Sequence, residues 1–275
     1  MKVISSLEDT KSFIKDCKAD STISLIPTMG NLHSGHMKLI KSAANSSVKV
    51  VSIYVNELQF NNKNDYNNYP RTLADDLSLC DDNNVDLVFT PKISEVSNYI
   101  VCEKNDLPKF TSYMCGSKRP GHFSGVYRIV KFLFEILEPN AAYFGKKDFQ
   151  QLLLIKYIAN TYFPKLKIID IDTVRDIDNI ALSSRLSRIS SESFDKVKLI
   201  FQTLQSMKKK LHMGIDYNTI KENSILEFIN NDISIEYLDL RSLDTLKELK
   251  NINEQCGIFI ACYIDHVRLI DNIEI

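Results

Sequence analysis

The sequence predicts a doubly wound α/β protein, an open parallel sheet with helices on both faces, followed by a smaller α+β unit. Short Val- and Ile-rich runs alternate with helix-period segments through the first two-thirds of the chain. Parallel strands joined by crossover helices read in this way. The first apolar strand runs straight into Pro27-Thr28-Met29-Gly30-Asn31-Leu32-His33-Ser34-Gly35-His36, which falls beyond a strand's carboxyl end, where open sheets bind ligands. Past Arg185 the pattern changes to long helical stretches and then β-like runs.

Taken in order, the expected strands are Ile23–Ile26, Val48–Val55, Val85–Thr90, Ala141–Phe144 and Lys167–Asp172. Between them, helices are predicted over His36–Ala44, Thr72–Asn83, Phe123–Leu137 and Asp148–Phe163, with Thr72 and Asp148 placed as caps. The Asn- and Asp-crowded segment Asn56–Tyr69 reads as a long loop, and loops of that length in compact domains are often functional. A helix is then expected from about Ser191 to Leu211 and another over Asn218–Asn230, followed by strands at Ile233–Leu238, Gly257–Tyr263 and Val267–Ile273. This divides the chain into a Rossmann-like domain, residues 1–176, and a smaller α+β lid domain, residues 177–275. The Lys208–Lys210 run suits a solvated helix C-terminus.

Composition narrows the function classes. With 275 residues, 44% hydrophobic and 25% charged, the chain can bury one large core or a large and a small one. A net charge of −1 gives no bulk attraction for nucleic acid. The cysteines Cys17, Cys80, Cys102, Cys115, Cys256 and Cys262 form no C-x-x-C pair, and the start MKVISSLEDT lacks the apolar core of a signal peptide. A reducing cytoplasm is the expected compartment, and no apolar run approaches bilayer length.

His33 and His36 fall three apart at a predicted helix start. Unpaired N–H groups and the positive end of the helix dipole attract phosphate there, and positions i and i+3 share a face. Gly35 between them leaves room for backbone or ligand to approach. The same spacing also suits a structural cap or half of a zinc site, although zinc needs further ligands and no supporting cluster lies nearby. Three later segments share the phosphate theme: Gly145-Lys146-Lys147-Asp148 with Gln150 and Gln151, Asp172-Thr173-Val174-Arg175, and Ala181-Leu182-Ser183-Ser184-Arg185. Two hydroxyls and a guanidinium fork match phosphate oxygens; each segment alone equally describes a turn or a surface ion pair.

With Ser52–Phe60, Tyr69-Pro70-Arg71-Thr72 and Arg119-Pro120-Gly121-His122-Phe123-Ser124-Gly125-Val126, these ordered motifs resemble the pantothenate synthetase (pantoate–β-alanine ligase) family from Ile26 to about Arg188. Nucleotidylyltransferases and class I aminoacyl-tRNA synthetases share only the His-x-Gly-His element. The resemblance implies that pantoate attacks the α-phosphorus of ATP, releasing pyrophosphate, and that β-alanine then displaces AMP from pantoyl adenylate. It places the ATP site on Met29, Gly30, Asn31, Leu32, His33, Ser34, Gly35 and His36, on Gly145, Lys146, Lys147 and Asp148, on Val174, and on Leu182, Ser183, Ser184 and Arg185. His33, His36 and Lys147 become the catalytic donors, with His36 the family's proposed proton donor. Gln59 and Gln151 would hold pantoate, and Mg²⁺ would bridge phosphate oxygens without a dedicated protein site.

The same resemblance implies a homodimer acting on small molecules, while the charge balance and the apolar runs lead to no expected nucleic-acid or membrane partner. Gln59 and Gln151 argue against a different nucleotidylyl transfer, and a tRNA synthetase would need an anticodon-binding domain and a positive excess. A non-catalytic nucleotide-binding regulator on the same fold would not need both histidines, Lys147 and Arg185. The chain departs from usual family wording at Glu57, Asn61, Lys146, Asn179-Ile180 and Leu186; a glycine lost at Asn61 or near Asn179 would restrict the backbone. Asp75 and Asp76 read as helix-dipole partners, with a link to the active-site network as the alternative. His122 reads as structural or as a substrate-loop residue, and His212 and His266 carry no expected role.

Overall fold

The computed structural model describes residues 1–18, 21–44, 47–100 and 107–275, and of Ile100 the backbone alone. Cys102 lies outside the described residues. A six-stranded sheet has the order β1-β4-β3-β2-β5-β6, built from β1 (Lys2–Ile4), β2 (Thr22–Thr28), β3 (Ser47–Ile53), β4 (Leu87–Phe89), β5 (Ala141–Gly145) and β6 (Lys167–Ile171). Each neighbouring pair is parallel. The helices of this part are α1 (Leu7–Lys18), α2 (Ser34–Ser42), α3 (Lys63–Asn67), α4 (Leu73–Asp82), α5 (Ile93–Ile100), α6 (Met114–Lys118), α7 (His122–Leu137) and α8 (Phe149–Tyr162).

Side chains of a strand alternate faces, so a strand covered on both sides is apolar throughout. Leu25, Val50, Leu87 and Phe89 enter one core with Ile14 of α1, Val96 of α5 and the buried faces of α7 and α8. Their neighbours Ile26, Val51 and Val88 enter the opposite core with Leu39 and Ile40 of α2 and Cys80 of α4. The doubly wound reading thus rests on residues one apart in sequence. Strands β1 and β6 form the edges. From β2 the chain winds one way through β3 and β4 and then returns to β5 on the other side, so the carboxyl ends of β2 and β5 flank a topological switch point.

The C-terminal part packs α9 (Phe194–His212) and α10 (Tyr217–Asn230) on an antiparallel sheet ordered β7-β8-β9, with β7 (Ser234–Ser242), β8 (Cys256–Ile264) and β9 (Val267–Glu274). Its own core gathers Val197, Leu204, Phe228, Leu240 and Ile260. Phe149 and Phe259 meet across the two parts at 5.4 Å between ring centroids, in a small cluster with Met114 and Leu246.

Several elements differ from expectation. β1 and α1 escape a hydropathy reading because β1 is a short, largely exposed edge strand. The loop expected over Asn56–Tyr69 holds a 3₁₀ turn, Glu57–Gln59, and α3. Thr72 and Asp148 occupy N-cap positions without a capping side-chain bond. Lys208 is not simply solvated, since its ammonium donates to the carbonyl of Glu274 at 2.7 Å. Asn179 adopts φ +63, the left-handed region that asparagine tolerates. Asn61 keeps an ordinary negative φ, and its side chain instead bonds the Pro120 carbonyl and accepts from Arg119 Nε at 3.3 Å.

Candidate active site

The chain leaving β2 must turn sharply before α2. Gly30 at φ +78 and Asn31 at φ +50 make that turn, and a Cβ on Gly30 would stand 2.9 Å from Asp76 Oδ2. Asp76, 1% exposed in the first turn of α4, accepts the N–H of Asn31 at 2.9 Å and of Leu32 at 2.8 Å. The helix-dipole reading of Asp76 is therefore corrected: its carboxylate satisfies donors of the β2–α2 turn, and Thr72 Oγ1 steadies it at 3.3 Å.

His33 is the N-cap of α2. Its Nδ1 accepts from Gly35 N at 3.1 Å, and His36 Nδ1 accepts from His33 N at 3.2 Å, a reciprocal capping box made by two imidazoles. An Nδ1 that accepts leaves the proton on Nε2, an assignment that follows from the hydrogen-bond network. A Cβ on Gly35 would lie 2.8 Å from His33 Cε1, so the absent side chain is what lets the His33 ring fold over this turn, while Gly35 itself still borders the crevice. Burial, reinforced by Lys147, lowers His33 to about 4. Burial and then the neighbouring His33 lower His36 to about 3. Both are neutral donors through Nε2–H near pH 7.

The second wall begins where β5 ends. Gly145 leads through a 3₁₀ turn, Lys146–Asp148, into α8. Lys147 and Asp148 face the crevice with their charged groups 3.7 Å apart. Burial alone would raise the Asp148 carboxyl, but Lys147 and Arg185 outweigh it and hold it below the usual carboxylate range. Its side chain is still half open to water within the cleft. Lys146 points the other way, 2.8 Å from Asp172 and 3.3 Å from Glu274. Gln151 faces the crevice, whereas buried Gln150 braces α6 by accepting from Cys115 N and donating to the carbonyls of Phe110 and Tyr113.

A third wall is the Val174–Arg185 arm, closed on itself by the Leu182 N–H to Val174 carbonyl bond at 3.0 Å. Ser184 Oγ reaches the Asn31 carbonyl at 3.4 Å. Arg185 and Arg188 each donate to one oxygen of Asp65 on α3, at 2.9 and 2.8 Å. Burial pushes that carboxyl up and the two guanidiniums bring it below its ordinary value.

Gln59 is seated from two sides. Its Nε2 lies 2.9 Å from Met29 Sδ, and its Oε1 accepts from Asn56 Nδ2, which also donates to the Gly125 carbonyl. Gly125 has no room for a side chain, since a Cβ would come within 2.4 Å of the Leu58 carbonyl. The Gln59 carbonyl accepts from Arg119 at 3.1 Å and His122 Nδ1 at 2.8 Å. His122 is lowered to about 3, first by burial and then by Arg119, so it is a neutral structural donor. Asn56, Asp65 and Arg119 lie in segments that the sequence singled out, but it gave them no role of their own, because the partners that explain them are 60 or more residues away.

Between these walls lies a cavity of about 250 Å³. Met29, His33, Gly35 and His36 line it from the β2 side, Gly145, Lys147, Asp148 and Gln151 from the β5 side, Gln59 from the segment between β3 and α4, and Val174 with Leu182–Arg185 from the arm. Gly30, Asn31, Leu32, Ser34 and Lys146 lie outside that lining. Gly30 opens on the opposite side of its turn, Leu32 is buried in the apolar core, and Ser34 faces out.

An open parallel sheet whose switch-point crevice gathers a histidine-capped helix start, a lysine turn and a serine–arginine arm defines a nucleotide-binding α/β protein. The chain belongs to the Pantoate-beta-alanine ligase family, whose model matches residues 2–274. It is 37% identical over 283 residues to a pantothenate synthetase of Leptospira biflexa, covering 99% of this chain and 98% of that one. A pantothenate synthetase of Fervidobacterium nodosum is 36% identical, with the same coverage. Among solved structures, a pantothenate synthetase from Thermus thermophilus superposes with TM-score 0.91 at 30% identity, covering 100% of this chain and 99% of that one. A pantoate-beta-alanine ligase from Francisella tularensis, complexed with beta-gamma ATP and beta-alanine, superposes with TM-score 0.84 at 30% identity, covering 100% and 97%.

Proposed function

We infer that this chain condenses (R)-pantoate with β-alanine, using ATP and releasing AMP and pyrophosphate, through a pantoyl-adenylate intermediate. The observation that carries the reading is the cavity at the switch point, with imidazole and ammonium donors on its walls and two neutral amides, Gln59 and Gln151, beside them. In the first half-reaction the pantoate carboxylate attacks the α-phosphorus and pyrophosphate leaves, so negative charge spreads over phosphoryl oxygens. Positioned donors then supply most of the catalysis. We assign His33 Nε2–H, His36 Nε2–H, Lys147 and Arg185 to those oxygens, with Ser183 and Ser184 as further hydroxyl donors.

Met29, Val174 and Leu182 pack against the nucleotide, Gly145 and Asp148 shape its phosphate end, and Gly30–Leu32 and Ser34 act through the backbone that sets the turn. Lys146, its ammonium engaged by Asp172 and Glu274, acts only by completing the turn that carries Lys147. Gln59 and Gln151 orient pantoate without neutralising its carboxylate. In the second half-reaction the β-alanine amine attacks the acyl carbon, and AMP departs with the electron pair of the broken bond.

As a neutral imidazole, His36 acts first as a hydrogen-bond donor. It gains the capacity to donate a proton fully only when a bound polyphosphate raises its pKa. Mg²⁺ is part of this reading. Among the described residues no group of three or more His, Cys, Asp or Glu side chains forms a metal cage, and Mg²⁺ commonly binds substrate phosphates with one or two carboxylates. Asp148 and Asp172 stand on the wall, Asp172 2.8 Å from Lys146 and Asp148 3.7 Å from Lys147, so the less tightly paired Asp148 would hold the ion, which would neutralise triphosphate charge.

The division at residues 176 and 177, a homodimeric assembly and a cytoplasmic location complete the proposal. The first is supported by the C-terminal core of Val197, Leu204, Phe228, Leu240 and Ile260, which is distinct from the core of the parallel sheet and takes in Ile180 of the arm. No described helix is long and apolar enough to cross a membrane. Exchange of labelled pyrophosphate into ATP that requires pantoate, with AMP formed only when β-alanine is added under multiple turnover, is the expected assay result. Exchange independent of pantoate would overturn the choice of acceptor.

A further inference from the structure

The 3₁₀ turn carrying Lys147 has no side-chain cap of its own. It is held instead from the C-terminal sheet. Asn272 on β9, 8% exposed, donates both protons of its amide, to the Lys146 carbonyl at 3.1 Å and the Lys147 carbonyl at 2.9 Å. One residue earlier, Asp271 takes Arg175 through both carboxylate oxygens at 2.7 and 2.8 Å. Arg175 adjoins Val174 on the cavity wall, stacks over Phe201 at 3.5 Å, and donates to the Asn272 carbonyl. Two consecutive residues of β9 therefore grip two separate segments of the nucleotide cavity.

The consequence for Lys147 follows from turn geometry. With three residues per turn, neighbouring side chains diverge by roughly 120°, so the rotation of this turn decides which lysine faces the crevice. In the structure Lys146 points to Asp172 and Glu274, and Lys147 points inward. Pinning both carbonyls fixes that rotation. We propose that Asn272 is a positioning residue for Lys147, through which the C-terminal sheet sets the geometry of adenylate formation. The proposal rests on the assignment of Lys147 to the triphosphate.

The test uses Asn272→Ala and the isosteric Asn272→Asp, which sets a carboxylate oxygen against two carbonyl oxygens, in the full-length protein. In pantoate-dependent pyrophosphate exchange, both should lower kcat/KM for ATP about tenfold or more, the scale expected when a catalytic group is misplaced by a fraction of an ångström to one ångström. The kcat/KM for β-alanine should stay within about twofold, since it reports the reaction of the adenylate already formed, in which Lys147 takes no part. A Lys147→Ala/Asn272→Ala double variant should be no slower than Lys147→Ala alone, because residues acting through one another are non-additive. Fully additive losses would overturn the proposal. So would a proportional fall in every parameter, or loss of folded protein in both variants, since Asn272 would then serve the fold rather than Lys147. Calorimetric ATP binding provides the same cycle without turnover; a wild-type protein with no pantoate-dependent exchange would sink the functional reading while leaving that cycle to decide on Asn272.

Discussion

Where the protons sit on His33 and His36 is the sharpest residue-scale result. Both Nδ1 atoms are used up by backbone donors, which leaves each ring's proton on Nε2, and both residues line the crevice. With pKa values near 4 and 3, neither ionises in the free protein between pH 5.5 and 8. The pH profile of kcat/KM for ATP, which reports the free enzyme, should carry no histidine inflection in that range; one near 6.5 that vanishes in His36→Ala would contradict the assignment. His36→Ala itself should slow adenylate formation ~10²-fold, as loss of one preorganised donor does. Near-normal single-turnover rates would remove His36 from the chemistry. Asp76 yields a separate expectation. Asp76→Ala strands the Asn31 and Leu32 donors, at about 1–3 kcal/mol for each group left unsatisfied, so urea unfolding should shift by that order, with the exchange rate falling too. The spacing of the histidines was legible in sequence. Asp76's role was not, because acidic residues in a first helical turn look alike whether they face the dipole or a turn 45 residues away.

At the scale of elements, the segment between β3 and α4 is a folded strap. Phe60 packs edge-on against Tyr66 and Tyr69, Arg71 donates to the carbonyls of Tyr66 and Tyr69, and Asp65 ties α3 to Arg185 and Arg188. Arg188 lies outside the cavity lining, so Arg188→Gln tests the strap without removing a wall residue. An adenylate exposed to water hydrolyses, and closed loops exclude water from such intermediates. Arg188→Gln and Asp65→Asn should therefore release more AMP than pantothenate, measured as the ratio of the two products. A ratio unchanged in both would count against shielding by the strap. The Asn- and Asp-rich composition announced a loop but not its hold on a partner 120 residues on.

For the whole molecule, three imidazoles are buried neutral: His33, His36 and His122, all well below their ordinary 6.5. Above pH 6.5 folded and unfolded chains both carry them uncharged. As pH falls from 6.5 toward 4, the unfolded chain takes up protons that the folded one refuses, so stability is lost over that window and no further once the folded pKa values are passed. Asp65 and Asp148, lowered from 3.8, lose their contribution below that value, which leaves pH 7 to 5 to the histidines. Tm should drop between those pH values in ligand-free protein and drop less in His122→Gln; a flat wild-type Tm would refute the burial argument.

The sequence by itself determined the doubly wound sheet, the switch-point placement of the His33–His36 turn and the family, because strand and helix periods and contiguous motifs are local properties. It missed β1, whose edge position leaves little apolar signal, and α1 after it. The tertiary structure alone decided that Lys146 turns out and Lys147 turns in, that the Gly35 space holds an imidazole, and that Asp65, Asp76 and Asn272 hold site segments in place. The holds of Asp65, Asp76 and Asn272 depend on hydrogen bonds and ion pairs between residues 44 to 126 positions apart, and only the packed fold sets their distances.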